Sequence, residues 1–97
     1  MTHGGVSIVH REGSFSYGDA CRIFEAAVRA EAPTVVVDLK HAEHATTSAF
    51  AQLILLRRAL LREGRDLRLD GLRDRTATVY QINRLDLVLP LRGKDLA

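Results

Sequence analysis

The stretch TVVVDL, residues 34–39, constrains this chain more than any other. Three consecutive valines carry β-branched side chains that favour extended backbone. Alternate side chains of a strand point to opposite faces. An unbroken apolar run therefore predicts a strand buried on both sides, as at the centre of a parallel or mixed sheet. Such a strand needs partner strands beside it and helices to cover its faces.

The rest of the sequence supplies both. VSIV, residues 6–9, reads as a short strand. Ser16 and Asp19 stand three apart, as in a capping box, and Tyr17, Cys21, Phe24 and Val28 follow at helical spacing. This first helix ends before Pro33, which pushes the preceding residue out of helical geometry. A second helix is expected over residues 47–63, closed by Gly64 as a left-handed cap. Ala49, Leu53, Leu56 and Leu60 form one stripe on it, and Phe50, Ile54 and Leu61 a neighbouring one. Arg57 falls between the two stripes and reads as a snorkelling side chain. Residues 66–72 alternate leucine with polar residues, as in a half-buried strand. A third helix over residues 76–84 and a closing segment with a short strand complete the pattern. Strands and helices alternate, so the crossovers are right-handed and the strands pair in parallel. One α/β domain over residues 1–97 is the expectation.

Composition narrows the function classes. The chain carries 14 basic and 12 acidic residues, a net charge of +2, with acidic residues interrupting the arginines nearly everywhere. Nucleic-acid binding would want clustered basic residues and stacking aromatics. The aromatics are only Phe15, Tyr17, Phe24, Phe50 and Tyr80, and three of them sit at apolar helical positions that favour core packing. No nucleic-acid partner is expected. The lone Cys21 cannot form an internal disulfide and reads as a buried small hydrophobe. No signal peptide is visible, and the longest strictly apolar run, residues 53–56, is far too short for membrane insertion. A cytoplasmic protein is expected.

Catalytic and cofactor motifs are absent: there is no glycine-rich phosphate loop and no nucleophile elbow. His41 and His44 lie three apart beside Glu43, but in a loop and without further ligands, so they read as solvated rather than metal-binding. Asp38 ends the valine strand, where an acid can serve chemistry at the carboxyl edge of a sheet. Its simpler role is to accept backbone N–H groups of the following loop. No cofactor and no metal are expected. The hydroxyls Thr46, Thr47 and Ser48 are more informative. One of them caps the second helix, worth about 1 kcal/mol, and two are surplus. A phosphate added there faces exposed N–H groups and the positive end of the helix dipole. It would spare the fold and add about −1.5 to −2 charges to a docking surface.

VVVDL, an eight-residue loop, the hydroxyl cluster opening a helix, LLRRALLREGRDLRLDGL and INRLDLVLPL together resemble a STAS domain from Val6 onward. The resemblance implies a mixed, mostly parallel β-sheet covered by α-helices, no catalytic site, and action through protein binding, as in anti-sigma-factor antagonists. In those antagonists an Asp–Ser–Ser–Gly pattern carries a serine phosphorylated by a kinase that is also the anti-sigma factor. The match places Thr46 at the Asp, Thr47 at the phosphoacceptor, Ser48 beside it and Ala49 at the Gly. Gly13 matches the glycine after the family's second strand, so the N-terminal hairpin is shortened. The sheet edge is then open to a partner or to a second copy in a homodimer. The implied docking face comprises Asp38, His41, His44, Thr46, Thr47 and Ser48, with Phe50 beneath them and Ala51, Leu55 and Ala59 on the outer side of the helix. An accessory subunit contacting the ATPase of an ABC-type lipid transporter, and a scaffold in a stress-signalling complex, are the alternative roles.

Overall fold

The structure, a computed structural model, describes residues 5–93. In chain order its elements are β1 (Gly5–Val9), β2 (Ser14–Phe15), α1 (Tyr17–Ala30), β3 (Thr34–Asp38), β4 (His44–Ala45), α2 (Thr47–Arg62), β5 (Asp66–Asp70), α3 (Asp74–Ile82) and a 3-10 turn at Leu85–Leu87. The valine strand β3 is central, with β1 and β5 paired to it in parallel. Among the described residues every strand pairing is parallel, and β1 is an edge strand paired only with β3.

The register explains the core. Val6, Val35 and Leu67 lie side by side, as do Ile8, Val37 and Leu69. Adjacent parallel strands put paired residues on one face, so these six make a single apolar surface. Both crossovers step the same way across the β1–β3–β5 order. With right-handed connections, α1 and α2 must then land on the same face. That differs from the expected burial on both sides. Val35, Val37 and Leu39 are fully buried, whereas Val36 is only partly so and lies between Ser7 and Arg68. Among the described residues no helix covers that second face. The reason is topological: a sheet that grows in one direction has helices on one side only.

α1 begins with the expected capping box. The Asp19 N–H donates to the Ser16 hydroxyl at 3.3 Å, and the Ser16 N–H donates to the Asp19 carboxylate at 2.8 Å. The helix is rotated relative to expectation. Ala20, Ile23 and Ala27 face the core, while Tyr17 and Val28 are exposed and Cys21 and Phe24 half-buried. Cys21 is thus no core residue. Both stripes have helical spacing; the one with two alanines lets the helix approach more closely, and closer packing wins.

α2 keeps its main stripe: Ala49, Leu53, Leu56 and Leu60 are buried. Of the neighbouring stripe Phe50 is buried, Ile54 half-buried and Leu61 exposed. The helix stops in a Schellman turn, with the Arg65 N–H donating to Leu60 O at 2.9 Å and the Gly64 N–H to Leu61 O at 3.0 Å. Arg57 does more than snorkel. Its Nε donates to Asp66 at 2.8 Å and its Nη1 to Val88 O at 3.1 Å, tying α2 to β5 and to the closing segment. That segment makes a single bridge, Leu69 to Leu91, in place of the expected short strand. Pro90 has no N–H with which to extend the ladder. α3 starts two residues before the expected position and ends at Ile82.

Candidate functional site

The loop between β3 and α2 is more ordered than a connecting loop need be. At its start Asp38 turns back on the chain: its carboxylate accepts the Lys40 N–H at 3.0 Å, and the Lys40 ammonium lies 3.5 Å away. Gly71 packs against this turn. A Cβ there would sit 2.8 Å from the Asp38 carboxylate and 2.9 Å from the Lys40 nitrogen, on a left-handed backbone of φ +76°. Asp38 therefore has the simpler of its two roles, that of a turn acceptor.

Farther along, Ala42 is fully buried and its carbonyl accepts the hydroxyl of buried Thr76 at 2.9 Å. His44–Ala45 pairs with Ser14–Phe15 as a second small sheet, where the expectation was plain loop. The Glu43 and His44 N–H groups donate to Gly13 O, and the Thr46 N–H to Phe15 O. His41 and His44 are exposed. Both ends of the loop are fixed, so the hydroxyl cluster is held in place rather than carried on a loose tip.

Within the cluster one residue is the cap. Thr46 has extended backbone, and its hydroxyl accepts the Ala49 N–H at 3.1 Å. The Thr46 and Ser48 hydroxyls share a hydrogen bond of 3.1 Å. Thr47, the first helical residue, is exposed, as are Thr46 and Ser48. Ala49, at the position matched to glycine, is fully buried. Phe50 is likewise buried and packs edge-on against Phe15, with ring centroids 6.2 Å apart, and near Tyr80 at 6.4 Å. It supports the site from below. Ala51 is exposed and Leu55 half-exposed at 50%.

Folding adds residues that no pattern in the sequence groups. A groove of about 200 Å³ opens beside Thr47, lined by Thr47, Phe50, Ala51, Ile54, Asn83 and Leu85. Asn83 and Leu85 come from the far end of the chain. Ile82 and Leu87, beside them in sequence, are 73% and 70% exposed. Only an apolar residue with no core to reach would have hinted at this, and Ile82 reads equally well as the end of an amphipathic helix.

A larger hollow of about 350 Å³ lies at the β1 edge beside α1, where the ligand atoms of His10, Glu12 and Asp19 come within 4.8 Å of one another. Its two inner groups, Asp19 and His10, are already engaged. Ser16 and Arg22 hold the Asp19 oxygens, and the His10 Nε2 donates to Ser14 O at 2.7 Å. Burial pushes the Asp19 carboxyl up, but the Ser16 bonds, with His10 and Arg22 nearby, outweigh it and hold it below the usual carboxylate range. This is a helix-capping device.

Among the described residues no helix is long and apolar enough to cross a membrane. The model of one family, the STAS domain, matches residues 1–93. STAS domains generally mediate regulatory protein–protein interactions and are non-catalytic. No curated protein matches the chain.

Proposed function

This chain belongs to the STAS domain family, and on that premise we propose that it is a non-catalytic regulatory domain whose docking face is the start of α2. The partner is a protein kinase that doubles as an anti-sigma factor, and a phosphate at Thr47 switches binding off, with Ser48 as the secondary acceptor. One observation carries the reading: Thr46 already caps the helix, so the exposed Thr47 hydroxyl beside an apolar groove has no structural task among the described residues. A phosphate on the first helical residue meets free N–H groups and the favourable end of the helix dipole. The fold tolerates it, and the surface changes sign. Asp38 supports this face through the turn that opens the loop leading to it. His41, His44, Ala51 and Leu55 form its exposed surroundings, and Phe50 its floor.

Affinity purification from the native cell, with intact-mass measurement of the bait, identifies the partner and any added phosphate. Titration calorimetry with that partner then tests the switch. Thr47→Glu is expected to weaken binding at least tenfold, about 1.4 kcal/mol, while Thr47→Ala retains it. Equal binding by both variants removes the switch.

A second reading rests on Thr47 as it stands. Its exposed hydroxyl, never modified, would be a direct contact with the ATPase of an ABC-type lipid transporter. Recovery of an ATPase, with unphosphorylated bait, selects it.

A further inference from the structure

The helical layer carries all seven of the exposed large hydrophobics among the described residues: Tyr17, Val28, Leu55, Leu61, Ile82, Leu87 and Val88. Beside Ile82 and Leu87 this surface is hollowed into the groove between α2 and the Asn83–Leu85 segment, with Phe50 and Leu85 as its buried floor. Its size, about 200 Å³, falls below the roughly 300–1,000 Å³ of small-molecule sites. With a water occupying roughly 30 Å³ of liquid, it suits one large side chain. Its few polar groups include the Thr47 hydroxyl and the Asn83 amide, whose Nδ2 is spent on Val79 O at 2.8 Å.

Charge says what should accompany that side chain. Thr47, Ala51, Ile54 and Arg58 follow one another at helical spacings of four, three and four, so Arg58 continues the groove wall along α2, with Arg62 a turn beyond. The residues three and four from Arg58 on its own helix are Ile54, Leu55, Leu61 and Arg62, none acidic. Neither Arg58 nor Arg62 makes an ion pair among the described residues, although Arg57 is bound to Asp66 and Arg84 lies 3.6 Å from Asp86. An apolar hollow thus runs into two uncompensated arginines.

We infer that this groove seats an apolar anchor from an acidic amphipathic segment of the protein partner, with acidic side chains reaching Arg58 and Arg62. Helix-in-groove docking of this kind reads anchors one helical turn apart, about 5.4 Å. The inference rests on the docking face proposed above and deepens it. A phosphate at Thr47 sets a negative group at the mouth of a site built for a negative segment, so release follows from repulsion without unfolding.

The test titrates the isotope-labelled chain, followed by amide NMR, with two synthetic amphipathic peptides. They share the same leucines; one carries Glu on its polar face, the other Lys. The Glu peptide is expected to shift the Ala51, Ile54, Asn83 and Leu85 amides, with an affinity that falls as salt rises. Two variants should each weaken it at least tenfold while keeping the wild-type circular dichroism melt: Arg58→Glu combined with Arg62→Glu, and Ala51→Trp, which fills the groove from an exposed position. No shift at the groove, equal shifts with the Lys peptide, or shifts centred on Tyr17 and Val28 of α1 would overturn the inference. Titrating Thr47→Glu separates the two claims. If it binds the Glu peptide as tightly as wild type while the groove variants do not, the groove stands and the switch falls. If Thr47→Glu alone loses the natural partner and the groove variants keep it, the switch stands and the groove falls.

Discussion

At residue scale, Thr46 and Thr47 are neighbours with separable tasks. Thr46 satisfies a helix N–H that would otherwise be orphaned. Thr46→Ala should therefore cost about 1 kcal/mol in urea unfolding. Thr47→Ala, at an exposed site, should stay within about 0.5 kcal/mol. Equal losses would mean that the cap has been misassigned. Asp19 is a second residue whose role has a measurable signature. Its carboxyl lies below the ordinary value, so the stability it contributes is complete above the unfolded value near 3.9. That stability is lost as pH falls through the lower folded value. Asp19→Asn should lower stability at neutral pH and flatten the acid limb below about pH 4. An acid limb of unchanged steepness would exclude Asp19 as its source.

At the scale of elements, the site depends on ties between segments far apart in sequence. The buried Thr76 hydroxyl on α3 holds the Ala42 carbonyl, and with it the loop leading to α2. Thr76→Val keeps the shape and removes the donor. It should cost about 1–3 kcal/mol, because a buried carbonyl loses its partner, and amide exchange at Glu43 and His44 should quicken. Unchanged exchange would show that the small β2–β4 sheet alone suffices to hold the loop. Arg57 illustrates why such ties escape a reading of sequence. Its place between two apolar stripes suggested a side chain escaping to solvent, yet it bonds Asp66 and the Val88 carbonyl, nine and 31 residues away. Helical periodicity places a residue on a face but does not say what the face meets.

At the scale of the whole molecule, the two sides of the sheet differ. The helix-bearing face buries Val35, Val37, Leu67 and Leu69 completely, and the opposite face presents Ser7, Val36 and Arg68 side by side. Val37→Thr should cost about 1–3 kcal/mol by burying a hydroxyl, whereas Val36→Thr should cost under about 1 kcal/mol in the same urea assay. Equal costs would mean that the second face is covered. The α/β alternation, the parallel sheet, the Ser16–Asp19 box, the end of α2 at Gly64 and the hydroxyl cluster at the start of α2 were all legible in the sequence. Each is set by interactions within a few residues or by a repeat that local backbone geometry enforces. Tertiary structure alone decided three things: which of two helical stripes of α1 turned inward, that among the described residues helices would cover the valine strand on one side only, and that Asn83 and Leu85 would close a groove beside Thr47. Those outcomes depend on how closely helix and sheet can approach and on the direction in which the sheet grows. Both are properties of packing between distant segments, and no local pattern encodes them.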